Sequence, residues 1–552
     1  MSLLGCAPAP APIGSLTLTR AVRTPDVGCT GASPLSVRSR GEDFVLSAAM
    51  DGVVRAFDPT TGGLAWSVAL PVPAGRVANV TATPVLFDAG HLVVAYQHVL
   101  PGSLDRDAHR IVVIDLEARA LDPEFPEVTP AGSRPTWDGT GTVDFLPAHS
   151  FSRAALVHVD VADRARGLVY VAYGNVRDIQ PWHGWVFELD LDAWHQSGGG
   201  AAISSLLLTT AEDACGPEGV TGSESMICGG GVWAPAGPGL RTTRTGYELL
   251  VPTGNGMLDP TRAQFANGVL RTGRGLGFAH GCSDPSCASW DPTAPARACI
   301  ESCEDLFVPR DEPEDPPLRP ASGRCEGTTT LECWAAIDWD FGASTPVAVD
   351  VPGGPQLVVA AGKDGALYAF DADHFGTLYD RLQIADVCGA PGDTCTAEWA
   401  GMIVTEPLVT TLDGAPLILV PTFEFDRTHP AGVVAVRVAM EGGLPRLERV
   451  WRAPSDLEAT LRFRRHPSRI APTTLRGESM ALVVDVGDAA GAGRLYAIRV
   501  RDGAVLGRAE LDGPGQRYVR PLVVGERVWV SSCAPGDGPG HLEAYDLGVA
   551  TD

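Results

Sequence analysis

The sequence predicts an all-β protein, an eight-bladed β-propeller of four-stranded antiparallel blades closed by an N-terminal strand in the last blade. Three observations lead there. Gly (64) and Pro (45) make up close to a fifth of the 552 residues; this suits short strands joined by turns, because Gly supplies φ > 0 and Pro presets φ. A fixed order of segments recurs eight times: a Pro-containing strand, an apolar run, then a strand ending in Asp and a turn. The eighth copy lacks a fourth strand, and the N-terminus carries a spare one.

The clearest copy is "STPVAVDVPGGPQLVVAAGKDGALYAFDADHFG", which contains the only lysine of the chain, Lys363. In chain order, "GASPLSV", "FVLSAAMDG" and "VVRAFDPTTGGLAWSV" make the first copy. "TATPVLFD", "HLVVAYQ" and "HRIVVIDLEA" make the second. "RAALVHVD", "GLVYVAYGN" and "HGWVFELDLDAW" make the third, without the Pro. "GGGVWAPAG", "YELLVPTGNG" and "ANGVLRTG" make the fourth, and the template is the fifth. "TEPLVTT", "PLILVPTFE" and "GVVAVRVAMEGG" make the sixth. "IAPTTL", "MALVVDVGD" and "GRLYAIRVRDG" make the seventh, and "VRPLVV", "RVWVSSCAPGDG" and "HLEAYDLG" the eighth. Copies spaced by roughly 45–100 residues mean a solenoid, a propeller or an array. Strand-and-turn units favour the propeller. "SLTLTRAV" at 15–22 is the strand that would complete the last blade and leave no sheet edge unpaired. The expected organisation is a start and Ala/Pro tether over 1–14, then one propeller over 15–552, with a Cys-rich acidic insert at about 281–334.

The formal net charge is −25 and there is no long Lys/Arg run, which argues against a nucleic-acid partner. The bias of the basic residues towards Arg reads as a GC-rich genome. No apolar window of about 18 residues exists to span a bilayer as a helix.

Of thirteen cysteines, none stands in a CxxC pair of the kind a zinc site uses, and close neighbours in Gly/Pro-rich segments read as disulfide staples. The expected pairs are Cys388–Cys395, Cys215–Cys228, Cys282–Cys287, Cys299–Cys303 and Cys325–Cys333. Cys29 and Cys533 are left without neighbours and are expected to pair across the ring closure. Disulfides imply an extracytoplasmic location, periplasm or cell surface. Leu3-Leu4-Gly5-Cys6 resembles the lipobox of bacterial lipoproteins, with Ala/Pro alternation after it as a tether. Lipidation is therefore expected at Cys6, although only five residues precede it and a signal peptide needs an apolar stretch of about 7–15.

"GKDGALYAFDAD", "HGWVFELD", "GGGVWAPAG", "PTGNGMLD" and "FDPTTGGLAW" together resemble the PQQ-like (quinoprotein-like) β-propeller repeat proteins of bacteria, over about residues 41–546. The resemblance implies eight blades around a central channel. Enzymes of that family hold the quinone against a disulfide of adjacent cysteines and bind calcium or a lanthanide with carboxylate and amide side chains beside an aspartate base. This chain has no adjacent cysteine pair and no CxxCH haem motif.

Residues just before the innermost strands of a propeller gather at one mouth of the channel. His149, Arg153, Trp233, Glu406, Arg469 and Arg520 are the expected ligand-binding set; no catalytic or metal residue is assigned. Lys363 reads first as a solvated turn residue, and His183 as a hydrogen-bonded strand corner. Asp371 and Asp373 read as a plain Asx turn rather than a calcium loop, and "LRFRRHPSR" at 461–469 as a solvated loop. There is no G-x-S-x-G elbow and no HExxH motif. The leading expectation is a non-catalytic extracytoplasmic binding or scaffold module for a protein partner or polymer at the cell envelope, without a cofactor and touching the membrane only through a lipid anchor. The alternative is a quinoprotein-type oxidoreductase with PQQ and Ca in the channel.

Overall fold

Leu92, Val94 and Tyr96 of one strand face one way and pack with Leu46, Val54 and Ala56. Val93 and Ala95, between them, face the other way and pack with Val169, Val171 and Phe187. Successive side chains of a strand point to opposite faces, so a sheet apolar on both faces must be covered on both. The computed structural model does this by stacking sheets in a ring. It describes residues 13–101, 106–175, 180–215, 228–291, 295–310, 334, 339–385, 402–423, 431–455, 463, 466–487, 491–534 and 538–549. Cys6, Cys325, Cys333, Cys388 and Cys395 lie outside them, and with them the expected lipidation and two expected disulfides.

Eight four-stranded antiparallel blades follow one another, the first seven running in chain order from inner to outer strand and the last taking its outer strand from the N-terminus. Blade 1 is Leu35–Ser39, Glu42–Ala48, Val53–Phe57 and Leu64–Ala69. Blade 5, the sequence template, is Val347–Asp350, Gln356–Ala361, Ala366–Asp371 and Leu378–Gln383. Eight buried apolar clusters among the described residues sit one at each junction between neighbouring blades, ending with Val45 and Phe57 of blade 1 against Trp529 and Ala544 of blade 8. No described helix is long and apolar enough to cross a membrane.

The recurrent Asp after the third strand has a local cause. Asp58 Oδ1 accepts hydrogen bonds from the amides of Thr60 and Thr61 at 2.8 and 2.7 Å. Asp371 Oδ1 does the same with Asp373 and His374 at 2.8 and 2.9 Å. Each is an Asx turn that starts the fourth strand.

Closure follows the sequence expectation. Leu16–Arg23 pairs with Pro539–Val549 as the outer strand of blade 8, in register from Leu16↔Val549 to Arg23↔Glu543, with an irregularity between Arg20 and Val22. Cys29 is bonded to Cys533 with Cα atoms 5.3 Å apart. Gly540 makes the approach possible, since a Cβ there would lie 2.9 Å from the Cys29 Cα.

Two expectations need correction. The first strand of blade 4 is Gly239–Thr243, not "GGGVWAPAG" at 229–237. Gly229, Gly230 and Gly237 there have φ of 116°, 71° and 83°, values that break an extended ladder. In the insert, Cys282 is bonded to Cys303 and Cys287 to Cys299, not Cys282 to Cys287 and Cys299 to Cys303. The 3-10 turn Pro285–Ser289 and the helix Arg297–Glu301 face each other across the loop, so the two bridges nest. Cys299, on the helix, meets Cys287 on the turn, and Cys303, just past the helix, meets Cys282 just before the turn. The described part of the insert joins the third and fourth strands of blade 4, Val269–Thr272 and Leu306–Phe307. It packs on the apolar cluster between blades 3 and 4 through Ile300 and Cys303 and reaches blade 5 where the Gly376 amide donates to the Cys303 carbonyl at 2.8 Å.

Candidate functional site

Each blade's chain enters through a segment just before its first strand, and these segments converge on the channel. Glu406, Arg469 and Arg520, which enter blades 6, 7 and 8, come together there. Arg469 Nε donates to both Glu406 oxygens at 2.7 and 2.9 Å, and an Arg520 guanidinium nitrogen donates to Oε1 at 2.7 Å. Ser33 Oγ, entering blade 1, accepts from the Arg469 side chain at 3.3 Å and from the Arg520 amide at 2.9 Å. Glu406 and Arg469 are buried. Burial pushes the Glu406 carboxyl up, but the charges of Arg469 and Arg520 and the Arg469 hydrogen bond outweigh it and leave the group below its usual range. With each of its three charged groups paired, this cluster is a clasp across four blades.

Arg153 and Trp233, entering blades 3 and 4, form a second group. Arg153 Nε donates to the Trp233 carbonyl at 3.1 Å. The Arg153 guanidinium lies 5.2 Å from the Trp233 ring and 4.3 Å from the Tyr518 ring. Tyr518 belongs to the loop between blades 7 and 8, yet it packs on the apolar cluster of blades 4 and 5. It therefore spans the channel. Lys363 Nζ lies 5.2 Å over the Trp233 ring and 3.3 Å from Asp340 Oδ1. Lys363 is 5% exposed, so it is a buried channel residue and not the solvated turn residue that its Lys-Asp-Gly context predicts. Arg517 lies 5.2 Å from the Phe423 ring and 5.7 Å from Tyr518.

Three cations thus surround two stacked-upon rings. Burial pushes the Tyr518 phenol up, but Arg153, Arg517, an Arg517 hydrogen bond and Lys363 outweigh it and bring it down to about 8. Because the folded value lies below the ordinary one, ionisation of Tyr518 adds stability as pH rises above about 8, and that contribution is lost as pH falls back through it. Absorbance titration near 295 nm is expected to show one tyrosinate forming near pH 8, well before the others, and Tyr518→Phe is expected to remove that step. A single transition above pH 10 would refute this.

The same wall carries oxygen ligands. A Cβ on Gly254 would lie 2.9 Å from Asp340 Oδ2 and 3.3 Å from Trp233 Nε1, and one on Gly231 would lie 2.9 Å from Asn175 Oδ1. Glycine at these points lets blades 3, 4 and 5 close on one another, with Asn255 next in the chain and buried. Tyr518, Arg517 and Asp340 escape a reading of the repeat, because none stands on a repeated motif position; Asn175 and Asn255 lie at the ends of repeat segments, "GLVYVAYGN" and "YELLVPTGNG", where nothing in the sequence marks them as site residues. Lys363 carried one signal, its uniqueness in the chain.

His149 makes a contact of its own. Its Nδ1 lies 2.5 Å from the Pro181 carbonyl, on the loop that carries His183. His183 is buried, and burial outweighs its hydrogen bond to Thr210 and pushes the ring down to about 4, so it is neutral.

No family model matches the chain, and no curated protein matches it. Solved structures do. Quinohaemoprotein alcohol dehydrogenase from Comamonas testosteroni superposes with a TM-score of 0.52 at 12% identity, over 98% of this chain and 77% of that one. A europium-containing methanol dehydrogenase superposes with a TM-score of 0.52 at 13% identity, over 97% of this chain and 93% of that one. At these identities the likeness is one of fold alone, an eight-bladed β-propeller.

Proposed function

We propose that the protein is an extracytoplasmic binding propeller whose channel mouth takes an anionic group carried on a flat face, offered by a small molecule, an acidic protein segment or a carboxylated polymer. The observation that supports this reading is the convergence of Arg153, Lys363 and Arg517 on Trp233 and Tyr518, in a chain whose net charge is −25. A cationic, aromatic-walled cluster attracts anions at short range even though the net charge of the chain is negative. Four disulfides among the described residues support an oxidising compartment.

Tryptophan fluorescence titrated with aromatic polycarboxylates tests it. Saturable quenching is expected, and Arg153→Gln or Arg517→Gln is expected to weaken it roughly 10- to 100-fold, the loss of one charge-assisted hydrogen bond. Unchanged affinity in both variants would refute the reading.

One observation favours a second reading, a quinoprotein-type oxidoreductase. Trp233 offers an aromatic floor, and Asp340, Asn175 and Asn255 offer a carboxylate and amides on the adjoining wall. These residues fit PQQ with Ca, which would supply a two-electron acceptor. The adjacent-cysteine pair of such enzymes is missing from the sequence. Dye-linked oxidation of alcohols or sugars after incubation with PQQ and calcium separates the readings. Turnover favours the second; saturable binding without turnover favours the first.

A further inference from the structure

His183, Cys215 and Cys228 meet outside the channel pairs. All three are buried, and their ligand atoms lie within 4.8 Å of one another. Cys215 and Cys228 are bonded to each other. The imidazole orientation is informative. His183 Nδ1 lies 2.9 Å from both the Thr210 carbonyl and its hydroxyl. A carbonyl only accepts, so Nδ1 carries the proton and Nε2 carries the lone pair. That lone pair is aimed at Cys215 Sγ, 3.5 Å away. Metal-binding histidines are held in this way, with the second nitrogen donating to a backbone carbonyl.

The spacing matches as well. Zinc bonds of about 2.3 Å to sulfur and 2.0 Å to nitrogen, at a tetrahedral angle, separate the two ligand atoms by about 3.5 Å. The Glu212 carbonyl, 3.3 Å from Cys215 Sγ and 3.1 Å from Cys228 Sγ, offers a fourth donor.

We propose that in its dithiol state this cluster is a binding site for a zinc-class divalent cation, with His183 Nε2, Cys215 Sγ and Cys228 Sγ as ligands, and that the disulfide is its closed form. Opening is a two-electron step. A dithiol reductant becomes a disulfide, the Cys215–Cys228 bond breaks, and the reductant's two protons pass to the two sulfurs. The cation then displaces both protons, and the sulfurs move apart to about 3.8 Å, the edge of such a site.

The test uses the full chain treated with a phosphine reductant under anaerobic conditions, with Co2+ as a spectroscopic stand-in and Zn2+ in competition with a chromophoric chelator. Thiolate-to-cobalt charge transfer and tetrahedral d–d bands are expected. Cys228→Ser is expected to abolish them, and His183→Ala to weaken binding at least about 10-fold, comparable with the loss of a supporting ligand. His183→Cys is expected to restore affinity with a more sulfur-rich spectrum, which separates ligation from a folding defect. A Cys282→Ser/Cys303→Ser variant is expected to keep the bands. Cobalt bands that are absent in the reduced protein, insensitive to Cys228→Ser, or lost only with Cys282 and Cys303 would each overturn the proposal.

Discussion

Replacing Cys29 and Cys533 together with serine is expected to lower stability by about 3–5 kcal/mol, the upper end of what one disulfide contributes. The bridge joins residues 504 apart, so it closes nearly the whole chain, and in the chain-entropy account the effect grows with the logarithm of the loop. It sits where the ring is sealed by a single strand, Leu16–Arg23. That strand is also held by ion pairs: Arg23 lies 3.0 Å from Asp512 and 2.6 Å from Asp26, and Arg20 lies 3.4 Å from the buried Glu543. The variant should therefore fold but open first at the seam. Chemical denaturation without reductant measures the loss, and hydrogen exchange should show the amides of Leu16–Arg23 losing protection before those of blade 5. Removing the Cys282–Cys303 bridge, which spans 21 residues, is expected to cost less and to leave the seam protected. An unchanged midpoint in the closure variant would mean that the strand alone seals the ring.

Glu406→Gln is the second large effect, about 3–5 kcal/mol of destabilisation. It leaves Arg469, 6% exposed, as a buried charge without its counter-ion, and breaking one side of a buried pair costs that much. Replacing both partners with apolar residues, Glu406→Leu with Arg469→Met, is expected to cost less than the single change, and a double-mutant cycle reads the coupling. The pH dependence has a fixed sign. The Glu406 carboxyl lies below its ordinary range, so its contribution is present above that range and is lost as pH falls through the folded value. Glu406→Gln should therefore flatten the acid limb of the stability curve. An acid limb identical to that of the parent protein would exclude Glu406 as its source.

Legibility of the site differed between its two halves. Glu406, Arg469 and Arg520 stand at equivalent points of consecutive repeats, so the repeat placed them at one mouth without any knowledge of distances. Tyr518 and Arg517 lie on a connecting loop, where no period constrains the path, and Asp340 lies in a segment between insert and blade. His149 stands near the right point of its repeat, and its ring meets the Pro181 carbonyl. Lys363 differs from the expectation because Lys-Asp-Gly is turn chemistry whether or not the turn is buried; burial against Asp340 and Trp233 distinguishes a channel lysine from a solvated one.

What the sequence determined by itself is the repeating part: eight blades, their order, the borrowed N-terminal strand and the Cys29–Cys533 seam. Alternating apolar residues, Asx turns and an unpaired sheet edge act over a few residues or along one dimension, so they can be read in a line. The tertiary structure alone decided the nested bridges of Cys282, Cys287, Cys299 and Cys303, the first strand of blade 4, and the arrival of Lys363, Arg517 and Tyr518 beside Arg153 and Trp233. Those depend on where loops travel through space, and irregular backbone carries no period from which that path could be inferred.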